Sequence, residues 1–137
     1  MLSGKFSYED MVQKKKKIKR TSLKAKADKL FRDIVRSRGE CQLKGLDHVA
    51  CDNELQTMHI VGRANYRLRW EEENALCGCS GHHFYYTNNP YFFGILIQEK
   101  FPENHAFIMQ HKNEFWDKDY EKIMGSLQTR YEQILGD

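Results

Sequence analysis

Cysteine and histidine are the residues of this chain best equipped for chemistry, and they crowd together. All 4 cysteines lie between Cys41 and Cys79, and 4 of the 6 histidines lie between His48 and His83. Thiolate and imidazole are the preferred donors for zinc. Cys41-x9-Cys51 and Cys79-x2-His82 form two ligand pairs separated by 27 residues, a layout that suits one tetrahedral, structural zinc joining two loops. Cys77 can replace Cys79 at this level of reading, although a Cys-x1-Cys pair is too tight for both to bind comfortably. His48 is a further candidate donor. Reduced cysteines that act as small buried hydrophobes are the alternative to any metal. Disulfides suit the pattern less well, since no export signal is present and histidines stand nearby.

His82 and His83 are adjacent, so at the start of a helix they point in different directions. One can hold the structural metal while the other faces a second site. Upstream, Leu55-Gln56-Thr57-Met58-His59-Ile60 reads as a strand carrying a histidine, and Asn74 sits between it and the His82-His83 pair. The order is His59, Asn74, His83.

The elements that must position these residues follow from periodicity and breakers. Leu23, Ala27, Leu30, Ile34 and Val35 recur at helical spacing, with Thr21 or Ser22 as N-cap and Gly39 as stop. Residues 40–80 are irregular and glycine-punctuated, and segments such as Leu55–Val61 and Arg67–Trp70 fit strands or a hairpin. His82–Thr87 fits a short helix. Asn89-Pro90 then starts a helix over about 91–100, and amphipathic segments follow Pro102 at about 103–113 and 119–135. Phe107, Phe115, Trp116, Tyr120 and Tyr131 fit packing better than a base-stacking platform. The fold class is α+β.

Charge is distributed unevenly. Residues 1–40 carry 13 Lys and Arg against 5 Asp and Glu, whereas 41–137 carry 9 against 14, within a formal net charge of +3. The run Lys14, Lys15, Lys16, Lys17, Lys19, Arg20 reads as part of a flexible basic arm over 1–20. Lys24, Lys26, Lys29, Arg32 and Arg36 extend a cationic surface suited to nucleic-acid phosphates, or simply solvated. At 137 residues and 40% apolar content, one compact core over 21–137 is the ceiling. No apolar run reaches the about 18 residues of a membrane span, and no secretory signal opens the chain. The expectation is a soluble cytoplasmic protein with no membrane partner.

Taken together, the zinc pairs bracketing Leu55-Gln-Thr-Met-His-Ile-Val-Gly-Arg63, then Arg69-Trp-Glu-Glu-Glu-Asn-Ala-Leu-Cys77, then His82-His-Phe-Tyr-Tyr-Thr87 resemble the HNH endonuclease family, the ββα-metal or His-Me finger nucleases. Small phage-type members are the best likeness, over about residues 40–90. Ser22–Phe31 is similar to the lead-in helix of NinG/Rap-type recombination nucleases. The resemblance implies a ββα-metal core with structural zinc, preceded by a basic helix and followed by C-terminal helices over about 91–137. It implies a metal-dependent DNA endonuclease acting in phage DNA recombination or processing. His59 would be the general base, Asn74 would orient the loop, and His83 would hold a catalytic Mg²⁺ or Mn²⁺. Structural zinc would sit on Cys41, Cys51, Cys79 and His82. Duplex, nicked or branched DNA is the implied substrate, with phage recombination or packaging proteins as further partners.

The sequence also departs from that pattern. Many members place an Asp or His before the base, where this chain has Met58, a poor ligand for a hard cation. Thr87 stands where a third ligand is common, and Glu72 or Glu73 is the candidate replacement carboxylate. Arg63, Arg67 and Arg69 interleave with Tyr66 and Trp70. They can clamp phosphate, or Trp70 can enter the core and leave the arginines solvated. Met58 and Thr87 also fit a non-catalytic, zinc-stabilised module that binds nucleic acid or protein.

Overall fold

The structure of the chain, a computed structural model, describes residues 8–136 and, within the first helix, the side chains from Ser22 onward. Helix α1 runs Tyr8–Arg36. Hairpin strands β1 (Leu55–His59) and β2 (Ala75–Cys79) follow, joined by a long loop that ends in a 3-10 turn at Glu72–Asn74. Helices α2 (Ser80–Thr87), α3 (Pro90–Lys100), α4 (Pro102–His111) and α5 (Tyr120–Gly136) complete an α+β fold.

Helix α1 starts well before Thr21, so Thr21 and Ser22 lie within it instead of capping it, and the backbone of residues 8–20 is helical where a flexible arm was expected. No glycine or proline interrupts residues 8–36, lysine is a good helix former, and each like-charge i,i+4 pair costs only tenths of a kcal/mol. The side chains of Lys14–Arg20, expected to contact nucleic acid, lie outside the described residues. The helix ends as anticipated: Ser37 Oγ caps Ile34 O at 2.5 Å, and Gly39 takes φ +85°, a left-handed conformation that glycine adopts without a Cβ clash.

The strands pair antiparallel, with Leu55 opposite Cys79, Met58 opposite Leu76 and His59 opposite Ala75. The second strand is thus Ala75–Cys79, and Arg67–Trp70 forms turns instead. Trp70 is buried in the core, where its ring adjoins Tyr66, Trp116 and Tyr120. The hairpin lies between two apolar clusters. On one side Ala75 and Cys77 join Ala27, Phe31, Ile34 and Val35 of α1 and Leu127 of α5. On the other, Met58, Leu76 and Cys79 meet Leu43, Tyr86, Leu96 and Ile97. Any Cβ at position 78 would collide with the Met58 thioether, so glycine there is a packing requirement.

Pro90 and Pro102 occupy the first turns of α3 and α4, where a missing N–H costs nothing. Asn89 makes no side-chain cap; its Nδ2 donates back to Tyr85 O at 2.8 Å, tying α3 to α2. Among the described residues, no helix is long and apolar enough to cross a membrane.

Candidate metal centre and adjoining cleft

Cys41, Cys51, Cys79 and His82 converge, with one donor atom from each lying within 4.8 Å of every other. His82 Nδ1 stands 3.1, 3.5 and 3.6 Å from the sulfurs of Cys79, Cys51 and Cys41. Zn–S and Zn–N bonds of about 2.3 and 2.0 Å at tetrahedral angles require about 3.5 Å between such atoms. The Cys3His set therefore fits a structural zinc. Local backbone explains the convergence. Cys79 ends β2 and caps α2, accepting from His82 N, so Cys-x2-His turns both donors to the same point. Gln42 N donates to Cys77 O at 2.7 Å, which seats the Cys41 loop beside β2.

The electrostatics of the cluster call for a cation. The Cys79 thiol comes down to about 6: burial pushes it up, but hydrogen bonds from the His82 and Asp52 backbone N–H groups lead the effects that outweigh it. The Cys51 thiol is pushed up to about 12 by burial and by its neighbours Cys41 and Cys79. Three sulfurs this close cannot all ionise without a positive charge among them, and a bound metal deprotonates them outright.

A supporting shell, absent from the sequence reading, holds the imidazole. His82 Nε2–H donates to Asp47 Oδ1 at 2.9 Å, and the Tyr86 hydroxyl donates to Asp47 Oδ2 at 2.5 Å. That carboxylate leaves Nδ1 as the ligating nitrogen. The only sequence cue was the i,i+4 spacing of His82 and Tyr86, whose rings stack at 6.4 Å. Cys77 stays out of the cluster, buried against α1. His48 is exposed and packs edge-on against Tyr85. Neither is a donor.

Beside this centre lies a cleft of about 400 Å³. Helix α1 contributes Asp28, Phe31 and Arg32; β1 contributes Thr57 and His59; Gly62 and Arg63 come from the loop, and His83 from α2. The hairpin and the start of α2 thus bring His59 and His83 onto one cavity. His59 Nε2–H donates to Arg69 O at 2.9 Å, which leaves Nδ1 as the basic nitrogen. Burial, reinforced by the charges of Arg63 and Arg69, holds its pKa below the ordinary histidine value. His83 Nδ1–H donates to Gln56 Oε1 at 2.6 Å, leaving Nε2 with its lone pair.

Asn74 is fully buried and works as a brace. Its Oδ1 accepts from Val61 N at 2.8 Å, and its Nδ2 donates to Val61 O and Leu68 O at 3.0 and 3.2 Å. Both ends of the long hairpin loop are pinned this way, just after His59. Asn74→Ala leaves the Leu68 carbonyl buried and unsatisfied, at roughly 1–3 kcal/mol, and the two part-buried Val61 groups without their partner at a smaller cost. Urea denaturation of the variant is expected to show a loss of about 2–4 kcal/mol, with zinc stoichiometry unchanged.

Several expected site residues lie elsewhere. Arg67 is engaged by Glu71 at 2.6 Å and Glu114 at 2.9 Å, remote from the cleft. Arg69 is buried and ion-paired, so of the three arginines only Arg63 lines the cavity. Glu72 pairs with Arg130 at 3.0 Å, and neither it nor Glu73 lines the cleft; the carboxylate found there is Asp28. Met58 is buried under Gly78 because strand alternation turns it away from the His59 side. Thr87 Oγ1 donates to His83 O at 2.7 Å, a helix back-bond, and the residue does not line the cleft. Asp28 and Thr57 were missed, and Arg32 was read only as part of a cationic helix face, because only the crossing of α1 over β1 brings them together; Thr57 Oγ1 donates to Arg32 O at 3.3 Å. No family model, curated protein or solved structure matches this chain.

Proposed function

We propose that this protein is a divalent-metal-dependent endonuclease of the HNH type that hydrolyses or nicks DNA phosphodiester bonds, in a setting such as phage recombination or DNA processing. The observation that carries the reading is the single cleft lined by both His59 and His83, adjoining the Cys3His centre. Each imidazole has one N–H committed to a carbonyl oxygen and keeps the other nitrogen for chemistry.

His59 Nδ1 takes a proton from water, the water oxygen bonds to phosphorus, and the P–O3′ bond breaks as the 3′ oxygen leaves. Arg69 O holds the His59 ring in the required tautomer, and Asn74 holds the loop that supplies Val61 and Leu68. Arg32 and Arg63, both exposed on the cleft wall, receive the phosphate. The cationic first 40 residues add sequence-independent affinity that falls as salt rises.

His83 Nε2 fits a Mg²⁺ or Mn²⁺ ion as one donor. When bound, such an ion neutralises charge on the scissile phosphate and the leaving oxygen. Among the described residues the Cys3His set is the group of three or more donors found, so His83 is not part of a preassembled site of three or more ligands. Phosphate oxygens and water must complete the coordination, and ion binding should be weak without DNA.

Relaxation of supercoiled plasmid by the zinc-loaded protein, with Mg²⁺ or Mn²⁺ added, tests the proposal; absence of turnover with any divalent ion would count against it. The pH profile is a second check. A base held below the ordinary value of about 6.5 is already deprotonated at neutrality. The rate should rise with a midpoint below about 6.5 and stay flat from there to about pH 8. The same shift has a stability sign: the unfolded chain takes up the His59 proton first, so this contribution is lost as pH falls from about 6.5 towards the folded value.

One observation favours a second reading. With Met58 in the core and Thr87 bonded to its own helix, neither position gives a cation at His83 a second ligand. A non-catalytic zinc module that binds nucleic acid or protein would look the same there. Tight DNA binding without turnover under every divalent ion would select it.

A further inference from the structure

We infer that Asp28 and Arg69 form a positioning pair for His59, through which helix α1 sets the orientation of the cleft imidazole. The inference rests on the nuclease reading only in giving His59 a reaction to perform; the geometry stands without it.

Arg69 connects three things at once. Its carbonyl oxygen accepts from His59 Nε2–H at 2.9 Å. Its guanidinium donates to Asp28 through a two-pronged pair, Nε to Oδ1 at 3.0 Å and Nη2 to Oδ2 at 2.7 Å. Its remaining prong, Nη1, donates to Arg63 O at 3.0 Å, in the residue whose side chain lines the cleft. The side chain is only 9% exposed, and the ring faces of Tyr66 and Trp70 lie 5.2 and 5.5 Å from its central carbon. Asp28 is held a third time, by Trp70 Nε1–H at 2.9 Å.

A bidentate guanidinium–carboxylate pair is directional. Its plane fixes the Arg69 side chain relative to α1, and the short path from side chain to carbonyl fixes the acceptor that holds the His59 proton at Nε2. If the acceptor moves, that nitrogen loses its preference and Nδ1 no longer carries the lone pair reliably. Asp28 is therefore poised to act without touching substrate, through Arg69 and then His59. Its place on the cleft wall follows from this anchoring, and it is not among the donors of the Cys3His cluster.

The test is imidazole ¹⁵N NMR of His59 in the full-length, zinc-loaded chain, beside plasmid-nicking kinetics. In the wild type, His59 should show a single neutral tautomer with the proton at Nε2. Asp28→Asn keeps the shape and removes the charged fork. It should give mixed tautomers, a shifted acidic midpoint in the pH profile, and kcat reduced about 10- to 100-fold with KM little changed. Arg69→Lys keeps the charge and loses the fork, and carries the same expectation should Asp28→Asn not fold. Arg67→Ala is the control, since it loosens the same loop at Glu71 and Glu114 without reaching His59. Unchanged His59 signals in a folded Asp28→Asn or Arg69→Lys, or an equal disturbance by Arg67→Ala, would overturn the inference. Loss of the single tautomer in a protein that cuts no DNA would uphold the positioning pair while removing the nuclease reading.

Discussion

His59→Ala is expected to reduce plasmid nicking by about 10²–10⁴-fold, the usual contribution of a positioned general base. The zinc content and the melting transition should change little. The size follows from the surroundings of the ring: His59 is the imidazole that β1 brings to the cleft, whereas His83 comes from α2 and the Asp28 carboxylate is held by Arg69. The effect should fall on kcat, because His59 has no charge with which to bind a phosphate at neutral pH; its pKa is kept low by burial and by Arg63 and Arg69. His83→Ala should behave differently. It removes the cleft's imidazole donor for the divalent ion, so its defect should be partly relieved by raising Mn²⁺ whereas that of His59→Ala should not. Equal cleavage by wild type and His59→Ala would remove this residue from the chemistry and, with it, the proposed mechanism.

The contrast between the two histidines also explains what the sequence could and could not reveal. Ligand chemistry is local: Cys79-x2-His82 is one helical cap, and the adjacency of His82 and His83 already required two different directions. The choice of Cys79 over Cys77 was open because alternation along a strand puts both on the same side, and only the turn into α2 at Ser80 swings Cys79 into the metal site. The arginines were harder. Arg63, Arg67 and Arg69 look alike in sequence, yet one lines the cleft, one is consumed by Glu71 and Glu114, and one is buried against Asp28. Asp28 stands 41 residues from Arg69, and Glu114 stands 47 from Arg67, whose other partner Glu71 is the local one. No local pattern encodes such distances. The position of Met58 was legible once alternation was taken seriously, since a strand that turns His59 towards the cleft turns its neighbour towards the core. Asp28 was hidden for the opposite reason: it sits on a helix whose charge pattern is dominated by lysine and arginine, and its role appears only when α1 is laid across β1.

The largest effect on the fold itself should come from the metal. One tightly held zinc per chain is expected to survive dialysis, and its removal by a strong chelator should abolish the cooperative melting transition. Structural zinc sites of this kind contribute on the order of 10–16 kcal/mol, whereas the whole stability of a small domain is about 5–15 kcal/mol. The centre joins the loop carrying Cys41 and Cys51 to the β2–α2 junction, and residues 40–54 contain no helix or strand of their own. Cys79→Ser and Cys41→Ser should therefore give chains that bind no zinc and do not melt cooperatively. Cys77→Ser separates metal binding from packing. Its thiol is buried against α1, outside the cluster, so the variant should keep its zinc and lose only about 1–3 kcal/mol for burying a hydroxyl there. His59 and His83 are coupled to this outcome because α2 begins at the metal site, and a chain stripped of zinc should also lose the hydrogen bond from His83 to Gln56. A zinc-free preparation with an unchanged melting curve would show that the four donors meet for packing alone. Zinc lost from Cys77→Ser but retained by Cys79→Ser would move the ligand register by two residues and take His82 out of the set.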